Sequence, residues 1–235
     1  HHPYTIARAF ASLEHLSGGR TGWNVVTTRD EPAGRNYGYS HLPERAERYA
    51  RAEEAVQVVT RLWDSWEPDA LVADPATGVL VDGERIKPID HVGEHYSVAG
   101  PLQVPPSPQG RPLIVQAGGS AGGQALAATY ADAVFTPQHV LGPAQQFYRG
   151  LKEQVVRAGR PARSVAVLPG LNPVVGSTEQ EARRRQRELN DLLSPEARLA
   201  GFARWLGVDA SRLALDEPFP LELLDGPRVS NGSLG

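Results

Sequence analysis

The sequence predicts an α/β fold built on a parallel sheet. Short apolar runs alternate with longer stretches in which apolar residues recur every three or four positions. The predicted strands cover residues 22–28, 112–117, 133–136 and 165–169, and helical stretches separate them. Strands that alternate with helices of this length form βαβ units, in which neighbouring strands are parallel. A (β/α)8 barrel needs eight strands and about 250 residues, so this count predicts an incomplete barrel with strands missing on both sides.

Helices are predicted wherever apolar residues repeat with a helical period. In the first helix Ile6, Phe10 and Leu13 are spaced by four and three residues. The glycine pair at 18–19 follows as a stop signal. The predicted helices cover residues 4–16, 44–66, 121–130, 143–158, 178–193 and 195–206. A charged loop is predicted for residues 29–43.

Residues 69–103 interrupt the alternation with short apolar runs and many turn-forming residues. We expect an insertion here that contains a β-hairpin, in which residues 79–81 pair with residues 96–98. The whole chain, residues 1–235, is assigned to a single partial barrel domain that carries this insertion.

The composition is that of an ordinary soluble globular protein, with 40% hydrophobic and 22% charged residues. The net charge of −3 gives no electrostatic case for binding nucleic acid or an anionic membrane. No apolar run reaches the roughly 18 residues of a membrane span and no signal peptide opens the chain, so a cytoplasmic location is expected. Cysteine is absent, which excludes disulfides, thiolate metal sites and a cysteine nucleophile.

Two features concern the ends of the sequence. Methionine is absent even at the first position, and residues 229–235 are polar and rich in glycine and serine. We therefore expect that the sequence starts inside a domain and that residues 229–235 form a loop or a linker.

The most informative stretch is 113–123, where an apolar strand ends directly in Gly118, Gly119 and Ser120 and an alanine-rich helix follows. The N-terminus of a helix presents unpaired N–H groups and the positive end of the helix dipole. Glycines let an anion approach this backbone closely, and Ser120 adds a hydroxyl group. The stretch predicts a site for a phosphate-bearing ligand. The alternative interpretation is an ordinary helix N-cap with flexible glycines.

Five motifs stand in a fixed order along the chain. They are HPY at 2–4, ARAFASLEHLSGGR at 7–20, GWNVVT at 22–27, RY at 48–49 and QAG at 116–118. Together they resemble the bacterial luciferase-like flavin monooxygenases, and most of all the branch of the nitrilotriacetate and dibenzothiophene-sulfone monooxygenases. The resemblance extends from His2 to about residue 220.

The resemblance implies a TIM barrel of the luciferase-like type, of which this chain carries about strands 4 to 7. It further implies a two-component enzyme, in which a separate NAD(P)H:flavin reductase supplies reduced FMN. In such enzymes reduced FMN reacts with O2 to give a C4a-(hydro)peroxyflavin, which oxygenates a small organic substrate such as a sulfone or a polyaminocarboxylate. Members of the family are longer than this chain, so an internal fragment of a homo-oligomeric enzyme is expected.

The resemblance also implies roles for individual residues. Ser120 matches a residue at the FMN phosphate, with Gly118 and Gly119 in the same turn. Tyr49 matches a tyrosine that contacts this phosphate. Arg45 stands where the family has a histidine that contacts FMN. Arginine can hold a phosphate with its forked donors, but it cannot exchange a proton near neutral pH.

Asn24 and Thr27 belong to a strand that lines the flavin pocket in the family, and polar groups at such strand ends point into the mouth of a barrel. Routine hydrogen bonding at the strand end is the alternative. Gly119 and Ala121 depart from the family, which has alanine or serine and an acidic residue there. No catalytic residue is assigned, because the flavin carries the oxygen chemistry and the protein supplies orientation and a dry pocket.

No metal site is predicted. His91 and His95 have the spacing of a helical ligand pair, but Gly93 lies between them and no third ligand is evident. His15 and Trp23 are interpreted as a satisfied helix histidine and a core aromatic. Two alternatives to FMN-dependent oxygenation stay open, namely a catalytically inactive fragment of the same ancestry and a luciferase-like oxidoreductase that uses a deazaflavin.

Overall fold

The computed structural model of the protein describes residues 1–28, 31–107 and 109–223. Its helices are α1 (Pro3–Ser17), α2 (Glu31–Arg35), α3 (Arg45–Trp63), α4 (Ala121–Tyr130), α5 (Leu141–Arg157), α6 (Glu179–Asp191) and α7 (Pro195–Leu206). Its strands are β1 (Gly22–Val25), β2 (Leu71–Asp74), β3 (Val79–Val81), β4 (His91–Val92), β5 (Ser97–Val98), β6 (Leu113–Gln116), β7 (Ala133–Thr136) and β8 (Ala166–Pro169).

Four strands form one parallel sheet in the order β1-β6-β7-β8. Each of these strands lies within one of the four predicted ranges, so the predicted α/β class is confirmed. Strand β1 ends at Val25 rather than at residue 28. Its partner β6 ends at Gln116, where the glycine turn begins, and the residues after Val25 therefore have no backbone partner in the sheet.

The two faces of this sheet have different surroundings. Ile114 and Val134 lie on the covered face and are buried in a core with α1, α3 and α4. Leu113, Phe135 and Leu168 lie on the other face and are 50%, 45% and 49% exposed. Within the described part of residues 1–170, helices therefore cover only one side of the sheet.

Local caps decide where the first helices begin and end. Helix α1 ends at Ser17, and the next residue, Gly18, adopts a left-handed backbone with φ of 64° that closes the last turn. Helix α3 ends at Trp63, three residues before the predicted end at Trp66. The cause is a contact with the insertion, because the Ser65 hydroxyl donates to the Leu62 carbonyl and accepts from the Leu102 backbone N–H. The predicted charged loop also contains the short helix α2, which the sequence analysis missed.

The insertion contains two separate hairpins, and the predicted pairing of residues 79–81 with 96–98 is wrong. Strand β3 pairs with β2, and β5 pairs with β4, both antiparallel. A tight turn explains the first pairing. The Asp74 carboxylate accepts hydrogen bonds from the Ala76 backbone and the Thr77 hydroxyl at 2.9 and 2.7 Å, and Gly78 takes a φ of 71°. The chain thus reverses before residue 79 and pairs locally.

The chain divides into two compact units, residues 1–170 and 171–235. The first contains the sheet, helices α1 to α5 and the insertion. The second contains α6 and α7, with a small apolar cluster around Ala203, Leu213 and Leu223. The assignment of residues 1–235 to one domain stays a prediction, and the predicted linker at 229–235 lies outside the described residues.

Within the ranges that the structure describes, no helix has both the length and the apolar character needed to cross a membrane.

The open face of the sheet leads to a prediction about association. We expect the chain to self-associate with increasing concentration, because an apolar surface of this kind is stabilised when it is buried. The double substitution Leu113→Glu/Leu168→Glu should shift the chain towards the monomer, as measured by size-exclusion chromatography with light scattering. The substitution Val156→Glu, at an exposed position of α5, is the control and should change nothing. A wild-type chain that stays monomeric at every concentration would contradict the prediction.

Candidate functional site

A glycine turn connects the end of β6 to the start of α4. An ideal Cβ atom on Gly118 would lie 2.7 Å from Gln116 Nε2 and 3.0 Å from Gly123 Cα. An ideal Cβ atom on Gly123 would lie 2.9 Å from Gly118 Cα. The strand end and the first turn of the helix are therefore in direct backbone contact, and only glycine at both positions permits it. The buried Gln116 side chain accepts a hydrogen bond from the Gly118 N–H and fixes the turn.

Ser120 is the N-cap of α4. Its hydroxyl oxygen accepts a hydrogen bond from the Gly123 N–H at 3.3 Å. The same oxygen lies 3.1 Å from the Tyr49 hydroxyl oxygen, and the two groups are hydrogen-bonded. One proton serves this bond, so the second hydroxyl proton of the pair can be donated elsewhere. The hydroxyl groups of Tyr49 and Ser120 at the N-terminus of α4 can therefore donate one further hydrogen bond to another group.

Tyr49 is surrounded by polar and charged groups. Thr27 and Arg45 both interact with its hydroxyl, and the Arg45 guanidinium lies 5.8 Å from the centre of its ring. Burial raises the pKa of Tyr49, but the hydrogen bonds with Ser120 and Thr27 and the charge of Arg45 outweigh burial. The net result is a lowered pKa. The groups around the Tyr49 hydroxyl therefore favour a negatively charged oxygen at this position.

The structure brings together four of the seven predicted cofactor-binding residues, namely Ser120, Tyr49, Thr27 and Arg45. We call these four residues the hydroxyl cluster. Gly118 shapes the turn beside it. Gly119 is exposed, and its carbonyl accepts a hydrogen bond from the Gln124 side chain at 2.9 Å.

The role of Gly122 was not predicted from the sequence. An ideal Cβ atom there would lie 3.4 Å from the Tyr49 ring, so this glycine packs against the tyrosine. An alanine Cβ would still be in ordinary contact with the ring, whereas a side chain that extends further towards it would push the ring away from Ser120. The signal was present in the sequence, because two adjacent glycines in the first turn of a helix cost stability and need a reason.

A cavity of about 720 Å³ opens where β1 ends. It shares Thr27 with the hydroxyl cluster, and Asn24 lines it without belonging to that cluster. Arg48 and Arg51 of α3 also line the cavity, and neither was predicted as a site residue. The spacing of Arg45, Arg48 and Arg51 by three residues was a helical signal available in the sequence.

Trp23 lines the same cavity and also packs against the core, as predicted. Its ring centre lies 5.9 Å from those of Phe10 and Trp63. The predicted satisfied state of His15 is likewise found, since its Nε2 lies 2.8 Å from the Pro105 carbonyl oxygen.

His91 is occupied by protein groups. Its Nε2 lies 2.9 Å from Glu54 Oε1, and its Nδ1 lies 3.3 Å from an Arg61 nitrogen. Among residues 1–28, 31–107 and 109–223, no group of three or more histidine, aspartate or glutamate side chains is arranged to hold a metal ion.

Comparison with known proteins gives the site its context. The family of luciferase-like monooxygenases matches residues 1–217. The chain belongs to this family.

Among curated luciferase-like relatives, N-acetyl-S-(2-succino)cysteine monooxygenase from Bacillus subtilis is 47% identical over 93% of this chain and 50% of its own length. Nitrilotriacetate monooxygenase component A from Aminobacter aminovorans is 43% identical over 94% and 49%. Dibenzothiophene-sulfone monooxygenase from Rhodococcus erythropolis is 42% identical over 92% and 48%. The predicted branch of the family is confirmed.

Solved luciferase-like structures agree with the fold. Long-chain alkane monooxygenase (LadA) is similar with a TM-score of 0.83 at 32% identity, over 93% of this chain and 51% of that chain. Riboflavin lyase (RcaE), solved with modified FMN and riboflavin, is similar with a TM-score of 0.82 at 33% identity, over 93% and 49%. The predicted barrel class is therefore confirmed. The chain spans about half the length of the curated relatives it matches.

The lowered pKa of Tyr49 leads to a titration prediction. An ultraviolet titration of the seven tyrosines should show one that ionises below the ordinary pKa of 10.0. Tyr49→Phe should remove this early step, and Ser120→Ala should move it to higher pH because a stabilising hydrogen bond is lost. Because the folded-state pKa lies below the unfolded value, ionised Tyr49 contributes stability that is complete above the unfolded pKa and is lost as pH falls through the folded pKa.

Tyr148→Phe is the matched control, because it removes an exposed tyrosine of α5 and should leave the early step in place. An early step that survives Tyr49→Phe would contradict the assignment.

Proposed function

We propose that this chain forms part of a two-component, FMN-dependent monooxygenase and holds the phosphate of FMN. The observation that carries the proposal is the hydrogen bond between Tyr49 and Ser120 at the N-terminus of α4. It places two hydroxyl groups, the unpaired N–H groups of a helix and the nearby Arg45 around one point beside a large cavity. All of these groups favour a bound anion.

The residues present fit FMN in charge and in hydrogen-bonding capacity. The Nε atom of Arg48 is buried and has no hydrogen-bond acceptor among the described residues, and Arg48 lines the cavity. A buried donor without an acceptor is costly, and an anionic ligand would satisfy it. We assign Ser120, Tyr49 and Arg45 to the phosphate and Gly118 and Gly119 to the close backbone approach.

Thr27 and Asn24 are assigned to the flavin side of the site. Thr27 interacts with Tyr49 and also lines the cavity, so it connects the phosphate end to the space where a ring system would lie. Reduced FMN supplies the oxygen-transfer chemistry together with O2. The chain itself binds and orients the cofactor, and the aromatic wall at Trp23 and Phe10 excludes water from one side of the cavity.

The names of the relatives support a proposal for the partner and the substrate. One relative is named as component A of its monooxygenase, which implies a second component. We propose an NAD(P)H:flavin reductase in that role. The relatives are named for an organosulfur compound and a polyaminocarboxylate, and we propose a small organic substrate of this range. Homo-oligomerisation and a cytoplasmic location stay predictions.

The role of Ser120 can be separated from its role as a helix cap. The substitution Ser120→Asp keeps an N-cap acceptor and places a negative charge at the favourable end of the helix, so the stability of the fold should be retained. The same charge repels a phosphate. We expect the wild-type chain to bind FMN about tenfold or more tighter than riboflavin, since one charge-assisted hydrogen bond contributes about 1.5–3 kcal/mol. Ser120→Asp should abolish this difference.

The measurement is a titration of flavin fluorescence with each protein. Ser194→Asp is the matched control, because Ser194 caps α7 in the same way and its hydroxyl accepts from the Ala197 N–H. FMN and riboflavin binding equally well to the wild type would overturn the proposal, and so would binding of a deazaflavin cofactor in place of FMN.

A further inference from the structure

We propose that Arg51 and Tyr96 form a second anion-binding subsite, which recognises a carboxylate or another oxyanion on the organic substrate. This inference rests on the proposed function, because it concerns the substrate of the same cavity. Its basis is the position of Arg51, the way Tyr96 is held and the charge of the cavity wall.

Arg51 cannot serve the same anion as the hydroxyl cluster. Tyr49 and Arg51 are two residues apart on α3, so they lie on nearly opposite sides of the helix. Tyr49 faces Ser120, whereas the Arg51 guanidinium lies 6.0 Å from the centre of the Tyr96 ring. Both Arg51 and Tyr96 line the cavity that Thr27 connects to the hydroxyl cluster. A ligand that reaches Arg51 is therefore a second group in the same cavity.

Tyr96 is held in place by the carboxylate of Glu54, a partly buried side chain of α3. Glu54 accepts hydrogen bonds from the backbone N–H groups of His95 and Tyr96, both at 2.9 Å. The His91 ring, 2.9 Å away, binds the same carboxylate. These bonds tie the hairpin of β4 and β5 to α3, and they hold the pKa of Glu54 below its ordinary value despite its burial. The insertion thus forms a fixed wall opposite the strand end.

Arg51 is oriented by a hydrogen bond with Tyr96 and forms no ion pair within the described ranges. Burial lowers the pKa of Arg51, but hydrogen bonding to Tyr96 and the proximity of Tyr39, Tyr96 and Glu47 outweigh burial, so the pKa is raised. Within the described ranges neither Arg48 nor Arg51 forms an ion pair with a carboxylate. The guanidinium keeps its charge, and the donors that do not serve Tyr96 can bind the two oxygens of a carboxylate.

The cavity wall explains why the substrate group is an anion. The described lining residues include the two arginines and four tyrosine or tryptophan rings, and they include no aspartate or glutamate. Such a wall favours an anionic group bonded to an apolar or polarisable body. The phosphate of FMN occupies the hydroxyl cluster in the proposed function, which leaves Arg51 for the substrate.

The test compares succinate with its neutral isostere succinamide, by saturation-transfer NMR on the full chain. Succinate should bind at least tenfold tighter than succinamide, and Arg51→Gln should remove the difference. Tyr96→Phe should weaken succinate binding less, because the ring stays and only the hydroxyl is lost. Arg157→Gln is the matched control, since Arg157 is exposed on α5 and pairs with Glu153. FMN and riboflavin are titrated against the same proteins.

The outcomes separate this inference from the proposed function. Equal binding of succinate and succinamide, or unchanged succinate binding in Arg51→Gln, would overturn the substrate subsite and leave the FMN assignment standing. A loss of the preference for FMN in Arg51→Gln as large as that in Ser120→Asp would also overturn it, because Arg51 would then belong to the phosphate site. A wild type without preference for FMN over riboflavin would overturn the proposed function itself.

Discussion

The parallel pairing of β1 with β6 is the constraint on which the rest of the site depends. About ninety residues separate the two strands, and the chain uses them to build α3 and the whole insertion. Because parallel strands end at the same edge, the pairing places Thr27 and the N-terminal turn of α3 next to the glycine turn. The Tyr49–Ser120 hydrogen bond follows from this register. A shift of two residues in the pairing would separate the groups by more than a hydrogen-bond length.

Local signals explain what could be predicted from the sequence. Helices α4 and α7 have the predicted bounds, because Ser120 and Ser194 cap their first turns through bonds to a residue three positions later. The four sheet strands were also found, since each is a short apolar run. The hairpins were mispaired for a related reason. Periodicity identifies strands but not their partners, and the turn at Asp74 decided the pairing.

The site was only partly accessible to the same reasoning. The glycine turn and Ser120 were visible as a local pattern, whereas the contact of Tyr49 with Ser120 spans 71 positions and was suggested by family resemblance alone. Gly122 and Arg51 were missed because their importance depends on what lies opposite them, the Tyr49 ring and the Tyr96 ring. Such contacts arise from tertiary packing, which no window of sequence contains.

The attachment of the second hairpin through Glu54 has a consequence for how such proteins diversify. One carboxylate on α3 binds two backbone N–H groups, and backbone groups are the same whatever side chain stands at positions 95 and 96. The side chain presented to the cavity can therefore change by mutation while its support stays intact. The hairpin can therefore keep its position while the residue at 96 changes, and a single substitution there alters the shape and polarity of the cavity wall.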